Sequence, residues 1–463
     1  MKKQIISILE SWANTEGNVD STSELLLWIE ELNRITFAKV EECNIQDCIF
    51  WFYDDYYGEV LNRRRSFFSI KGMRRFEDGE FISEQPIIIQ PEIGYLGIIC
   101  KEIDGVMNFL MQAKIEPGNV NCVQISPTIQ ATKSNFTRAH GGNIPTYFEY
   151  FMDSSMYNVI FDQIQSEQAA RFYKKRNRNM IMEVTGDIVV YPNFKWMTLG
   201  QIKKLMEIDN LVNMDTRTVL SGIPLMTTRF SEEELQYIET LFTDKGFFNS
   251  AFRTNPADTI TDIYQYVNNY KMFHDVMIAT VPLNQLVDWK VDTYGITCKK
   301  QANFMVRYYD IAISGREVQH WTQPLFKAIG EATFGLITTK VDGVTKYLVT
   351  ARSELGSFDK VEVGPSIQLE PTHNLYYDNS VEKVFRRKLE NKKGIILDVK
   401  LSEEGGRFYH EQNRNVIMEL DAKEVGELPD GYFWADYSTL NYLVQVNNCL
   451  NIQLRNLLSL LKV

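Results

Sequence analysis

The chain has 463 residues, 44% of them hydrophobic, enough to bury a large core and to form two or three domains. Its 49 Lys and Arg stand against 60 Asp and Glu, a net charge of −11 that argues against a nucleic-acid binder and against a polybasic membrane anchor. An anionic ligand would need a local basic pocket.

The N-terminal MKKQIISILESWANTEG carries two lysines before a short apolar run that Glu10 and Trp12 interrupt, which makes a poor signal peptide. No run of about 18 apolar residues points to a membrane span. Cys43, Cys48, Cys100, Cys122, Cys298 and Cys449 are scattered without a CxxC pair, as free thiols of a reducing compartment would be. The expected location is the cytoplasm.

Along the chain, helical periodicity marks Thr22 to Leu32, and the basic run RRRSFFSIKGMRR (Arg63 to Arg75) follows. The acidic total and the lack of a recognition motif argue against nucleic acid there. Strands are predicted at Phe67 to Ile70, Ile87 to Ile89, Tyr95 to Ile99, Met107 to Ala113 and Val120 to Ile125, with IDGV at Ile103 to Val106 as a hairpin turn. Helices are predicted at Glu167 to Lys175, Leu199 to Ile208, Glu232 to Phe242, Ile260 to Phe273 and Tyr437 to Leu461. Strands Phe334 to Thr339 and Lys346 to Ala351 flank a second hairpin turn, VDGV. The class is α+β with mainly antiparallel sheets.

The chain repeats itself. Shifted by 238 positions, Gln85 to Gln130 aligns without a gap to Gln323 to Gln368, with 15 identities in 46 pairs. At an offset of 236, RFYKKRNRNMIMEV (Arg171 to Val184) matches RFYHEQNRNVIMEL (Arg407 to Leu420) at nine of 14 positions. The module is therefore written twice, over 1–225 and 226–463, with the link in the polar stretch Ser221 to Asn255.

The densest polar run is Gln112 to Gly142. Gln112, Lys114 and Glu116 alternate, so a strand points all three from one face. Glu116 recurs as Glu354 and Lys114 becomes Arg352, either a shared functional role or a structural ion pair. Beyond Pro127, a loop with Gln130, Thr132, Lys133, Ser134, Asn135, Phe136, Thr137 and Arg138 suits a nucleotide, the ring stacking a base and the polar groups holding phosphates; an ordinary polar connection fits as well. His140, Gly141 and Gly142 close it. The RFYxxxNRN blocks are predicted to begin on a helix and end in a strand. There Arg171 and Arg407 are candidate phosphate ligands and Tyr173 and Tyr409 candidate proton donors, or else the aromatics pack a helix end. His occurs only at 140, 274, 320, 373 and 410, with no metal-binding spacing, and there is no GxGxxG or P-loop, so neither a metal-dependent hydrolase nor an NAD or P-loop enzyme is supported.

QPEIGYLG, FLMQAKIEPGNVNCVQISPTIQATKSNFTR and HGG in copy one, with GREVQHWTQPL and RFYHEQNRN in copy two, resemble the NDP-hexose 2,3-dehydratase family. The resemblance implies two tandem Nudix-like modules that dimerise. The chain departs from the Nudix box, since Arg316, Glu317 and Val318 run on into Gln319, His320 and Trp321 without paired glutamates. It implies a dTDP-linked 4-keto-6-deoxyglucose as substrate, loss of water across C2 and C3, and a 3-ketoreductase that consumes the product. No redox cofactor or metal is expected. On that basis Glu116 is the expected base, Lys114 the cation near the enolate, and Tyr173 or His140 the proton donor. Substrate contacts are expected from Trp51, Ser134 to Arg138, Arg352, Gln368, Glu370, Asn374, Arg407, Phe408 and Tyr409. A non-catalytic sugar-nucleotide sensor or scaffold is the alternative.

Overall fold

The structure is a computed structural model that describes residues 2–65, 67–132, 144–225, 229–315 and 318–463. It is α+β with mixed and antiparallel sheets, and the duplication is visible element by element. The first copy opens with helices Lys2–Ala13 and Thr22–Ile35, the second with Lys245–Phe252 and Ala257–Phe273. Each then has a meander and a larger mixed sheet. In copy one the mixed sheet is built on the hairpin Gly94–Ile103 and Val106–Ile115, and Arg176–Glu183 joins it in parallel. In copy two Thr333–Val341, Val344–Arg352 and Gln412–Glu419 take the same places. Asp104 and Gly105 turn the first hairpin with φ of 50° and 81°, and Asp342 and Gly343 the second with 49° and 77°, the left-handed pair that Asp-Gly supplies at least cost.

The two copies exchange a strand. Ala38–Cys43 pairs with Phe304–Ile313 of the second meander, while Val276–Val281, 238 positions on, pairs with Ser69–Glu77 of the first. Each meander is thus completed by the other copy. Next to the exchange, Gly118 N–H donates to the Gly405 carbonyl at 2.7 Å and His410 N–H to the Gly118 carbonyl at 2.9 Å. The mirror contacts run from Gly356 N–H to Ala169 O and from Lys174 N–H to Gly356 O, both at 2.8 Å.

The closing helices Met214–Leu220 and Ile452–Ser459 pack on each other, and one apolar core runs through both copies, from Ile8 and Leu9 by way of Val212 to Leu454 and Leu457. Arg217 and Arg455, at matching positions and almost fully buried, reach across to the opposite copy, where they donate to the carbonyls of Ser402 and Ser166. Burial pushes both guanidinium groups down to about 10, so carbonyl partners here are a requirement of desolvation.

Three sequence expectations are corrected. Glu167 to Lys175 is a loop, because Glu167 N–H closes on the Lys175 carbonyl at 2.9 Å and Lys174 sits at φ 52° against Gly356. The RFY blocks therefore begin in turns, although both end in strands. Tyr437 to Leu461 is two helices, Tyr437–Leu443 and Ile452–Ser459, broken where Asn448 adopts φ 54° and Leu450 bridges to Val363. The helix expected at Glu232 to Phe242 is present as Glu232–Thr240, and a further helix of the polar stretch, Lys245–Phe252, packs on Val344–Arg352.

Candidate active site

A cavity of about 850 Å³ opens between the mixed sheet of copy one and the meander of copy two. The period-two geometry of Val106–Ile115 aims Gln112 and Lys114 into it, and Glu116, just past the strand end, continues the row. Lys114 Nζ and Glu116 Oε1 are 2.8 Å apart in the wall, both half-buried. Gln130 lines the same wall, held by the Asn213 amide at 3.4 Å.

Trp51, Phe67 and Arg407 form an aromatic and cationic shelf on another side. The Arg407 guanidinium lies 4.4 Å from the Phe67 ring centroid and 4.6 Å from that of Phe68, which packs on Trp51 at 4.7 Å. Arg407 donates twice to Gln90 Oε1, at 3.3 and 3.2 Å, and once to the Gly406 carbonyl at 2.8 Å, so its plane is fixed. A planar cation beside flat rings is suited to hold a base and a phosphate together.

The polar end of the cavity holds Glu167, Lys175, Asp215 and Glu404. Asn177 donates to Glu167 at 2.6 Å, and Lys175 donates to the Glu92 carbonyl at 2.6 Å. Burial pushes Glu167 up to about 7, with the Glu404 charge adding to it, and pulls Lys175 down to about 8 against the pull of Glu167. Burial, then the charge of Glu167, raises the Asp215 carboxyl well above the usual range. The Glu404 carboxyl is raised by burial, with Arg407 opposing. Burial thus raises all three carboxyls in one corner of the cavity, the kind of perturbed cluster that acid–base chemistry uses. At the mouth, His320 Nε2 is 2.7 Å from Asp310 Oδ1, and Trp321 lines the wall from the same strand.

Of the residues singled out in the sequence, Trp51, Lys114, Glu116 and Arg407 come together here. Arg352, Gln368 and Glu370 gather at the mirror position in copy two and are tied up locally. Arg352 donates to the Gln368 carbonyl at 2.8 Å, Gln368 to Glu354 at 2.7 Å, and Glu370 sits 3.5 Å from Arg171. Asn374 is exposed and caps Leu375–Tyr377; Phe408 is buried edge-on to Phe172; Tyr409 stacks on Tyr309 at 4.4 Å. Tyr173 packs beside Met73, Ile87 and Leu355, away from the cavity lining. His140 and Ser134 to Arg138 lie outside the described residues.

Sequence reading missed Gln90, Glu167, Lys175, Asp215, His320 and Glu404. A signal for three of them was present in the repeat, as positions where charge changes between copies: Lys175 against Glu411, Asp215 against Gln453, and Glu404 against Gln168.

The family model for NDP-hexose 2,3-dehydratase matches residues 22–223 and again 260–461. A dTDP-4-dehydro-6-deoxy-alpha-D-glucopyranose 2,3-dehydratase from Amycolatopsis orientalis is 34% identical over 458 residues, covering 97% of this chain and 92% of its own length. Proteins of the same name from Streptomyces violaceoruber and Saccharopolyspora spinosa are 33% identical over 451 residues and 35% over 436. They cover 95% and 93% of this chain, and 97% and 87% of their own.

Proposed function

The chain belongs to the NDP-hexose 2,3-dehydratase family and is a carbon–oxygen lyase, and from that membership we propose how its cavity removes water across C2 and C3 of dTDP-4-keto-6-deoxyglucose. The observation that carries the reading is the Lys114 and Glu116 pair set in the wall of a cavity that also holds the Arg407 shelf.

The C4 carbonyl acidifies the hydrogen on C3. Glu116 takes that proton, and the electrons pass to the carbonyl oxygen as an enolate, which the Lys114 ammonium holds. Collapse of the enolate expels the C2 hydroxyl, and the product is the enol of a 3,4-diketo-2,6-dideoxy sugar nucleotide. A positioned base contributes about 10²- to 10⁴-fold, and a fixed cation at the enolate oxygen about 3–4 kcal/mol by analogy with a lost oxyanion donor. Trp51, Phe67 and Arg407 hold the nucleotide so that C3 meets Glu116. In copy two Arg352, Gln368 and Glu370 belong to a second sugar-nucleotide pocket.

The reading extends to a Nudix-like fold for each module, with the boundary at 225/226, to a homodimer in the cytoplasm, and to a 3-ketoreductase that traps the unstable product. Among the described residues no helix is long and apolar enough to cross a membrane. Incubation with the 4-keto sugar nucleotide and no reductase should release maltol as the product decomposes. Absence of turnover by fresh protein would overturn the substrate assignment.

A further inference from the structure

The duplication provides an internal control for the polar end of the cavity. Glu167 accepts from Asn177 at 2.6 Å, and its counterpart Glu403 accepts from Asn413 at 2.7 Å, so this carboxyl serves a bond kept in both copies. Asp215 is different. Its counterpart, 238 positions on, is Gln453, although the flanking cap Asn213 and the buried Arg217 are both repeated, as Asn451 and Arg455. The carboxyl is therefore specific to the side that has the cavity. Asp215 is 2% exposed, lines the cavity, and accepts no hydrogen bond from a described residue. Burial without a hydrogen-bond donor drives a carboxyl toward its protonated form, from which it can donate. Lys114, Glu116 and Asp215 line the same cavity, and the charges of Lys114 and Glu116 act on the Asp215 carboxyl in opposite directions.

We propose that Asp215 is the general acid of the elimination, giving its proton to the C2 hydroxyl as the C2–O bond breaks. This rests on the dehydratase reading above. The step balances: Glu116 gains the C3 proton, the C3–H electron pair passes through the enolate into the C2–C3 double bond, and the hydroxyl leaves with the Asp215 proton as water. Glu116 then carries one proton more and Asp215 one fewer, and a single transfer between them resets the site. The ground state and the transition state differ at Asp215 only in where one proton sits, so a near-isosteric amide removes the donor role and little else.

The test uses Asp215→Asn and three readouts. Maltol release should fall about 100-fold or more. Exchange of the C3 hydrogen with deuterium from solvent should stay within about tenfold of wild type, because proton abstraction does not need the acid. With a 2-fluoro-2-deoxy analogue of the 4-keto substrate, fluoride release should also fall by less than about tenfold, since fluoride departs without a proton. Unchanged maltol release overturns the proposal, as does an equal loss of all three rates in a protein that melts like wild type. If the amide does not fold, Asp215→Glu carries the same three measurements, with partial maltol release expected and a wild-type rate overturning the assignment. Failure of the wild-type enzyme to release maltol strikes the dehydratase reading instead, before any variant is compared.

Discussion

Gly118→Ala should be among the most damaging single substitutions in the chain. A Cβ built there would lie 1.6 Å from the Phe408 carbonyl oxygen and 2.8 Å from that of Gly405. Real Cβ contacts stay above 3.0 Å, so the backbone must part by at least 1.4 Å. Such a shift breaks the bonds from Gly118 N–H to Gly405 O and from His410 N–H to Gly118 O. Each buried group left without a partner costs about 1–3 kcal/mol, so the two lost bonds cost about 2–6 kcal/mol, and with about 1–3 kcal/mol for overpacking the expected loss is about 3–9 kcal/mol. Gly105→Ala is the control, with φ at 81° and open space around it, and its cost is the left-handed backbone alone, about 1–2 kcal/mol. Urea unfolding followed by tryptophan fluorescence measures both. Turnover should fall as well, because Glu116 stands two residues before the displaced glycine. A Gly118→Ala protein no less stable than Gly105→Ala would refute the reasoning about the seam between the copies.

Glu116→Gln should cut maltol release by about 10²- to 10⁴-fold and abolish C3 hydrogen exchange; unchanged turnover removes Glu116 as the base. Arg407→Lys loses the planar contact with Phe67 and the paired bonds to Gln90, so KM should rise about tenfold with kcat less affected; steady-state kinetics decide, and an unchanged KM counts against the shelf. Buried Glu362 and Glu411 are each raised to about 8 from an ordinary 4.5, by desolvation. A carboxyl raised on folding contributes stability that is full below about 4.5 and is lost as the pH climbs through about 8. The unfolding free energy from urea titrations should therefore fall between pH 5 and pH 8.5, by up to about 1.4 kcal/mol per pH unit for each group. Glu362→Gln should flatten that slope, and a slope unchanged by the substitution tells against Glu362 as a source.

The parts of this architecture that were legible in the sequence are those set by local rules. Asp-Gly at 104–105 and 342–343 marks its hairpins because few pairs tolerate two left-handed residues in a row. The alternation of Gln112, Lys114 and Glu116 marks a face because a strand has period two. Glu167 to Lys175 failed because contacts with Gly356 from the other copy override local helix propensity. The polar end of the cavity failed for a related reason: Asp215, Glu404 and Lys175 come from separate elements, and only the fold brings them together. Arg407 was a candidate phosphate ligand in the sequence, but only the fold shows that it lines a cavity against the mixed sheet of the other copy.

That exchange also sets an order of events during synthesis. The edge formed by Ser69–Glu77 receives its neighbour only when Val276–Val281 has been made, about two hundred residues later. Until then the nascent chain carries an open sheet edge, a template for pairing with the wrong partner. The first half cannot mature ahead of the second, so ribosomes stalled before residue 276 should hold a protease-sensitive chain, and release of the full polypeptide should protect both halves at once. The fold is in this sense a dimer tied into one strand of protein, and its two halves reach their final form together.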